Sequence, residues 1–127
     1  MRTLRFRSPR EDGAAAVEFA LLLPILVALL FGTVEFARAY NTLATLNHAA
    51  REGARTLAVT KDQSAAESAA RDAATSLDKS KLTISAPACS PSQAATVTAS
   101  YPLQLHIPLV LSKTYALTGQ GVMRCGG

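Results

Sequence analysis

The sequence predicts an α+β protein. A long N-terminal transmembrane helix continues into a small domain with a second helix and a three-stranded antiparallel sheet. Three observations predict this. Ala14 to Val34 is apolar apart from Glu18 and Thr33, and at about 1.5 Å per residue it covers roughly 30 Å, the thickness of bilayer hydrocarbon. Apolar residues then recur at helical spacing as far as Leu77. After Lys79 the period shortens to two, the mark of strands with one buried face.

The order of elements begins with Met1 to Asp12, which is arginine-rich, contains Pro9 and shows no periodicity. Four arginines (Arg2, Arg5, Arg7 and Arg10) precede the apolar run, and only Arg38 follows closely. The positive-inside rule therefore predicts a cytoplasmic N-terminus and an extracytoplasmic C-terminus. The expected division is a basic cytoplasmic leader over 1–13, a membrane helix over 14–36 and an extracytoplasmic domain over 37–127. The first partner is thus the lipid bilayer. Pro24 removes one backbone hydrogen bond, so a kink is expected there, with a local weakness over Ala20 to Pro24.

The helix is expected to leave the bilayer. Phe36, Tyr40, Leu43, Leu46, Ala50, Gly53 and Leu57 would form an apolar stripe on it. Asn41, Thr45, His48, Glu52 and Arg55 make a polar stripe, with a Glu52–Arg55 pair at helical spacing. Gly53 costs this helix about 1 kcal/mol against alanine, and a close packing partner would explain it. A second helix starts at a capping box, Ser64 to Glu67, and carries Ala66, Ala70, Ala73 and Leu77 on one face. Glu67 can pair with Arg71.

Three strands follow by alternation. The first places Leu82, Ile84 and Ala86 inward, and the second Ala95, Val97, Ala99 and Tyr101. The third places Tyr115 and Leu117 inward, with Gly119 and Gly121 marking a bulge or its end. Between the last two strands, Pro102 to Leu111 reads as an unusually apolar connection, because Pro102 and Pro108 oppose a regular strand. Its surface suits a neighbouring subunit or the bilayer; the alternative is a loop folded under the sheet.

Composition narrows the function. Half the residues are hydrophobic and there is no tryptophan, and many of the hydrophobic ones are alanines, so the core outside the membrane is thin. The net charge of +4 is spread along the chain, which reads as a solvated surface and not a nucleic-acid site. Cys89 and Cys125 both follow the apolar run. An oxidising compartment allows them a disulfide, the alternative being two buried thiols. No phosphate loop, nucleophile elbow, paired acid and base or metal-ligand spacing is present. His48 and His106 are isolated. No enzyme activity, metal or cofactor is therefore expected.

Glu18 is out of place in an apolar helix, where an ionisable group marks function. Cleavage after Gly13 would create an α-amino group on Ala14, one turn away, and the carboxylate would also meet the positive end of the helix dipole. The alternative is a carboxylate held wet among headgroups.

Gly13, then Ala14, Ala15, Ala16 and Val17, then Glu18 and Phe19 resemble a type IV prepilin processing site. The run Glu35-Phe36-Ala37-Arg38-Ala39-Tyr40 and the later Ala49-Ala50-Arg51-Glu52-Gly53-Ala54-Arg55 resemble the TadE-like pseudopilins of tight-adherence (Tad) pilus systems. The resemblance covers Gly13 to about Val59. It implies a pilin-like subunit, cleaved between Gly13 and Ala14 by a prepilin peptidase, with Glu18 and Phe19 serving assembly. Its implied partners are other pilin or pseudopilin subunits and the inner-membrane assembly platform, and its place is the cell membrane or a pilus. Two rivals stay open. Ala37-Arg38-Ala39 has the form of a signal-peptidase site, although the apolar run is long for a signal sequence; alternatively, the anchor is never cut. Either would make the chain a secreted or membrane-anchored binding domain.

Overall fold

The computed structural model describes residues 9–126. The start of the expected leader, residues 1–8, lies outside the described residues. Helix α1 (Pro9–Thr60) has 52 residues, about 78 Å at 1.5 Å per residue. Helix α2 (Gln63–Ala73) lies on its upper half. Strands β1 (Thr83–Ser85), β2 (Ala94–Ile107) and β3 (Leu111–Arg124) form one antiparallel sheet in the order β1-β2-β3. The sheet and α2 together clasp α1 from Glu35 upward, so the α+β arrangement read from the sequence is the one observed.

The core is built for close approach. One cluster joins Ala54, Leu57 and Ala58 to Ala66, Ala70, Ala95 and Val97. The other joins Leu46, Ala49 and Ala50 to Ala74, Leu82 and Ala99. The largest fully buried side chains are only Leu46, Leu57 and Val97. Small residues bury little area each, so stability depends on backbones lying close together. Gly53 shows this: a Cβ there would stand 2.9 Å from Ala70 Cβ and 3.1 Å from both Ala66 O and Val97 Cγ1. The helix accepts the glycine because α2 and β2 meet at that point.

The buried face of α1 differs from the expected stripe. Phe36 and Tyr40 are exposed, whereas Glu35 and Thr42 are buried with Leu46, Ala50, Gly53 and Leu57. Residues on a helix turn about 100° each. Eleven residues make just over three full turns, so Glu35 lies about 20° from Leu46 round the axis, against about 80° for Phe36. The sheet covers the face of Leu46, and hydrophobicity does not choose it.

Helix α2 is capped two residues earlier than expected. Lys61 takes a left-handed φ of 56° and ends α1. Asp62 is then extended, and its Oδ1 accepts from Ser64 N at 2.9 Å, Ala65 N at 3.3 Å and Ser64 Oγ at 2.7 Å. Asp62, not Ser64, is therefore the N-cap. The Glu52–Arg55 and Glu67–Arg71 pairs do not form. Arg71 instead donates to Lys79 O at 2.8 Å. Among the described residues the ion pairs are Glu35–Arg38 and Asp72–Lys79.

Hydrogen bonds from Ser64 and Ala65 hold the Asp62 carboxyl below its ordinary value of 3.8. Its stabilising contribution is full above 3.8 and fades as pH falls through the lower folded-state value. Asp62→Asn keeps an acceptor that does not titrate. In an acid titration followed by circular dichroism, the native chain is expected to lose helix more steeply than the variant below 3.8.

The stretch Pro102 to Leu111 is not a loop. Pairing of β2 with β3 is continuous from Ala94↔Arg124 to Ile107↔Leu111, with Pro102 opposite Ala116. Strand β1 pairs only with residues 98–100 of β2. Beyond Ser100 one edge of β2 is open, and a proline without an N–H is tolerated there. Pro108 falls in the turn, where it does no harm. Gly119 and Gly121 lie inside β3 with no bulge, and their φ angles are negative. They are there for space. A Cβ on Gly119 would stand 2.5 Å from Leu46 C, and one on Gly121 would overlap Ala50 O and C.

Cys89 and Cys125 are joined in a disulfide with Cα atoms 6.0 Å apart. Cys89 Sγ lies 3.7 Å from Leu57 O. A disulfide sulfur has no hydrogen to donate, so this is a packing contact.

Candidate functional site

The uncovered lower half of α1 concentrates the residues singled out in the sequence. From Gly13 to Val34 no residue is buried by the rest of the chain. Val17, Phe19, Leu21, Leu22, Leu29 and Leu30 all stand in the open. Among the described residues this is the one helix long and apolar enough to cross a membrane. A soluble domain could not leave such a surface unpartnered. Its length and apolar surface fit a single-pass membrane segment.

The polar exceptions within it are handled differently. Thr33 Oγ1 donates to Leu29 O at 2.8 Å, which satisfies the hydroxyl within its own helix. Glu18 is exposed, and among the described residues no side chain pairs with it. Ala14 sits four residues earlier on the same face. Gly13 is also open, with nothing within 4 Å of the space a Cβ would take. The helix passes through Gly13, Ala14, Glu18 and Phe19 without a break. It also passes Pro24 as one α-helix, where the missing N–H leaves Ala20 O without its usual donor.

Glu35 ends this segment, and sequence reading missed its part in the fold. Its side chain is only 9 % exposed. Oε1 accepts from Arg38 Nη1 at 2.7 Å, while Oε2 is buried with no partner. An orphaned carboxylate oxygen is a marked destabilising feature. The signal was available: Glu35 lies eleven residues before Leu46, on the face the domain covers.

The disulfide is far from this segment, at the other end of the domain beside Leu57. His48 is exposed beside Tyr40 and Arg51, on a shallow hollow of about 290 Å³. His106 Nδ1 is 3.1 Å from Ser112 Oγ across the exposed hairpin. Among the described residues no group of three His, Cys, Asp or Glu side chains could hold a metal ion.

Residues 13–55 match the family model described as TadE-like protein. No curated protein and no solved structure matches the chain. The matched stretch contains the whole uncovered segment, the Glu35–Arg38 pair and most of the domain-facing helix surface. Over Gly13 to Arg55, about a third of its length, the chain is similar to the TadE-like family.

Proposed function

We propose that the protein is a minor pilin or pseudopilin that takes part in assembling a Tad-type pilus. It is made as a precursor with residues 1–13 in the cytoplasm, 14–36 in the membrane and 37–127 outside. A prepilin peptidase cuts between Gly13 and Ala14. The new amine of Ala14, on this chain or a neighbour, pairs with Glu18 and sets the register of packed apolar helices, with Phe19 in the same contact. The assembly platform of the inner membrane receives the subunit, and adhesion follows from the filament. Pro24 gives the helix a point at which it yields during packing.

The observation that carries this reading is the coincidence of the TadE-like match with a helix open on all sides at Glu18. A cut after Ala39 finds less support, because it would remove Glu35, whose side chain the domain buries. The mass of the chain recovered from the native host tests the proposal. An N-terminus at Ala14 is expected; Tyr40 or Met1 overturns it. A second arm uses Glu18→Ala, which is expected to insert and to be cut normally, yet to leave cells without normal pili. Normal piliation by that variant would remove the assigned role of Glu18.

A further inference from the structure

The β2–β3 hairpin does not stop at the base of the domain. Its tip turns back along the apolar half of α1. Ile107 and Val110 of the hairpin and Ile25, Leu29 and Phe36 of the helix line one open apolar recess of about 540 Å³. The register gives the same level independently. Gly119 lies against Leu46. The eight residues from Gly119 back to Leu111 span about 26 Å at about 3.3 Å each. That length carries α1 back about 17 residues at 1.5 Å each, to the level of Leu29.

The tip is apolar and outward-facing. Leu109 is 92 % exposed and Val110 67 % exposed. Leu109 also has a left-handed φ of 67°, a conformation in which turns ordinarily use Gly, Asn or Asp. A turn serving only to join two strands gains nothing from an exposed leucine held this way. Just above the tip the character changes. Lys113 Nζ lies 5.4 Å from the centre of the Tyr115 ring, and His106 pairs with Ser112. On the helix, Tyr40 is 69 % exposed and Arg38 caps Glu35. Aromatic and basic residues above an apolar layer are the pattern of a membrane–water interface.

We infer that the hairpin tip, Ile107 to Leu111, inserts into the lipid leaflet on the domain side, beside the transmembrane helix. With α1 embedded to Phe36, a tip level with Leu29 already lies below the surface. The strand edges beside it carry unpaired backbone groups, which hydrocarbon does not accept. The tip therefore reaches no deeper than the upper acyl chains, about 10 Å below the level of Phe36 at 1.5 Å per residue, with Lys113 and Tyr115 nearer the headgroups. The protein holds the bilayer at two places, and the domain is fixed in height and tilt. This inference rests on α1 spanning the membrane and not on the pilus role.

The sequence has no tryptophan, so each variant carries a single reporter. The full chain with Leu109→Trp is reconstituted in phosphatidylcholine and phosphatidylglycerol vesicles brominated either near the glycerol end or near the methyl end of the acyl chains. Val110→Trp reads the same tip without altering the left-handed residue. Leu22→Trp reports insertion of α1, and Val59→Trp, at the far end of the helix, reports water. Both tip reporters are expected to emit at shorter wavelength than Val59→Trp and to be quenched most by the shallow bromines. Tip reporters unquenched while Leu22→Trp is quenched overturn the inference and leave the membrane span standing. A tip reporter that is shielded but unquenched, with a shift that grows with protein-to-lipid ratio, identifies a second copy as the cover and also overturns it. Loss of quenching at Leu22→Trp as well refutes the span itself.

Discussion

Gly121→Ala is expected to cost the α+β domain about 3 kcal/mol or more, at or beyond the upper end of the usual overpacking range. The reason is where the added methyl group would go. Its nearest neighbours are the backbone O and C of Ala50 and the backbone N of Arg51, and no side-chain rotation can make room. Either β3 moves off the helix or the helix bends. Gly119→Ala meets the backbone of Leu46 and Asn47 and is expected to behave alike. Moving β3 outward would also break the contact of Gln120 N with Asn47 Oδ1, 3.3 Å long. Gly32→Ala has open space around it and serves as the control. Denaturant unfolding of the full chain in detergent, followed by circular dichroism, should place both β3 variants far below the native midpoint and the control beside it. A native midpoint for Gly121→Ala would contradict the close packing of β3 on α1.

The second large effect is expected from the disulfide. Cys89 and Cys125 are 36 residues apart in sequence, and closing such a loop stabilises by roughly 4 kcal/mol in the chain-entropy model. The loop contains the whole β2–β3 hairpin. Its closing end is also tied by Cys125 N to Gln93 O and by Gly126 N to Ala58 O, both at 3.0 Å. Small domains commonly have only about 5 to 15 kcal/mol in total, and this one has an alanine core. The double variant Cys89→Ser/Cys125→Ser is therefore expected to lose most of its resistance to denaturant and protease. Reducing the native chain should reproduce that loss. An unchanged midpoint in both cases would show that the alanine core suffices without the staple.

What the sequence made legible, and what it hid, divides along a physical line. Periodicity is local, so the apolar run, the alanine face of α2 and the alternation around Val97 could be read directly. The position of β3 is tertiary. Gly119 and Gly121 look like a bulge in one dimension because the helix that needs their space is some seventy residues away in the chain. Pro102 misled for a related reason. A proline opposes a strand only where its N–H has a partner to lose, and β1 is too short to supply one. Phe36 and Glu35 differ by a single step, yet that step turns the helix by about 100° and decides which of them the domain covers. The residues proposed to act in processing and assembly obey another rule. Gly13, Ala14 and Glu18 were visible because their types are unusual for their surroundings. The fold adds no contact to them, and a role played toward another molecule leaves no mark within one chain.

The unbroken course of α1 has a mechanical consequence. There is no hinge between the half that lies in lipid and the half gripped by the sheet; the one missing backbone bond is at Pro24. Glu18 precedes Glu35 by seventeen residues, which sets the two side chains about 100° apart on a regular helix. A neighbour that docks at Glu18 thus approaches from the flank of the domain and not from beneath it. As long as the helix stays straight at Pro24, whatever takes hold of the lower rod steers the heading of the upper body, so lateral packing in the bilayer would dictate which side of the domain each subunit shows its neighbours.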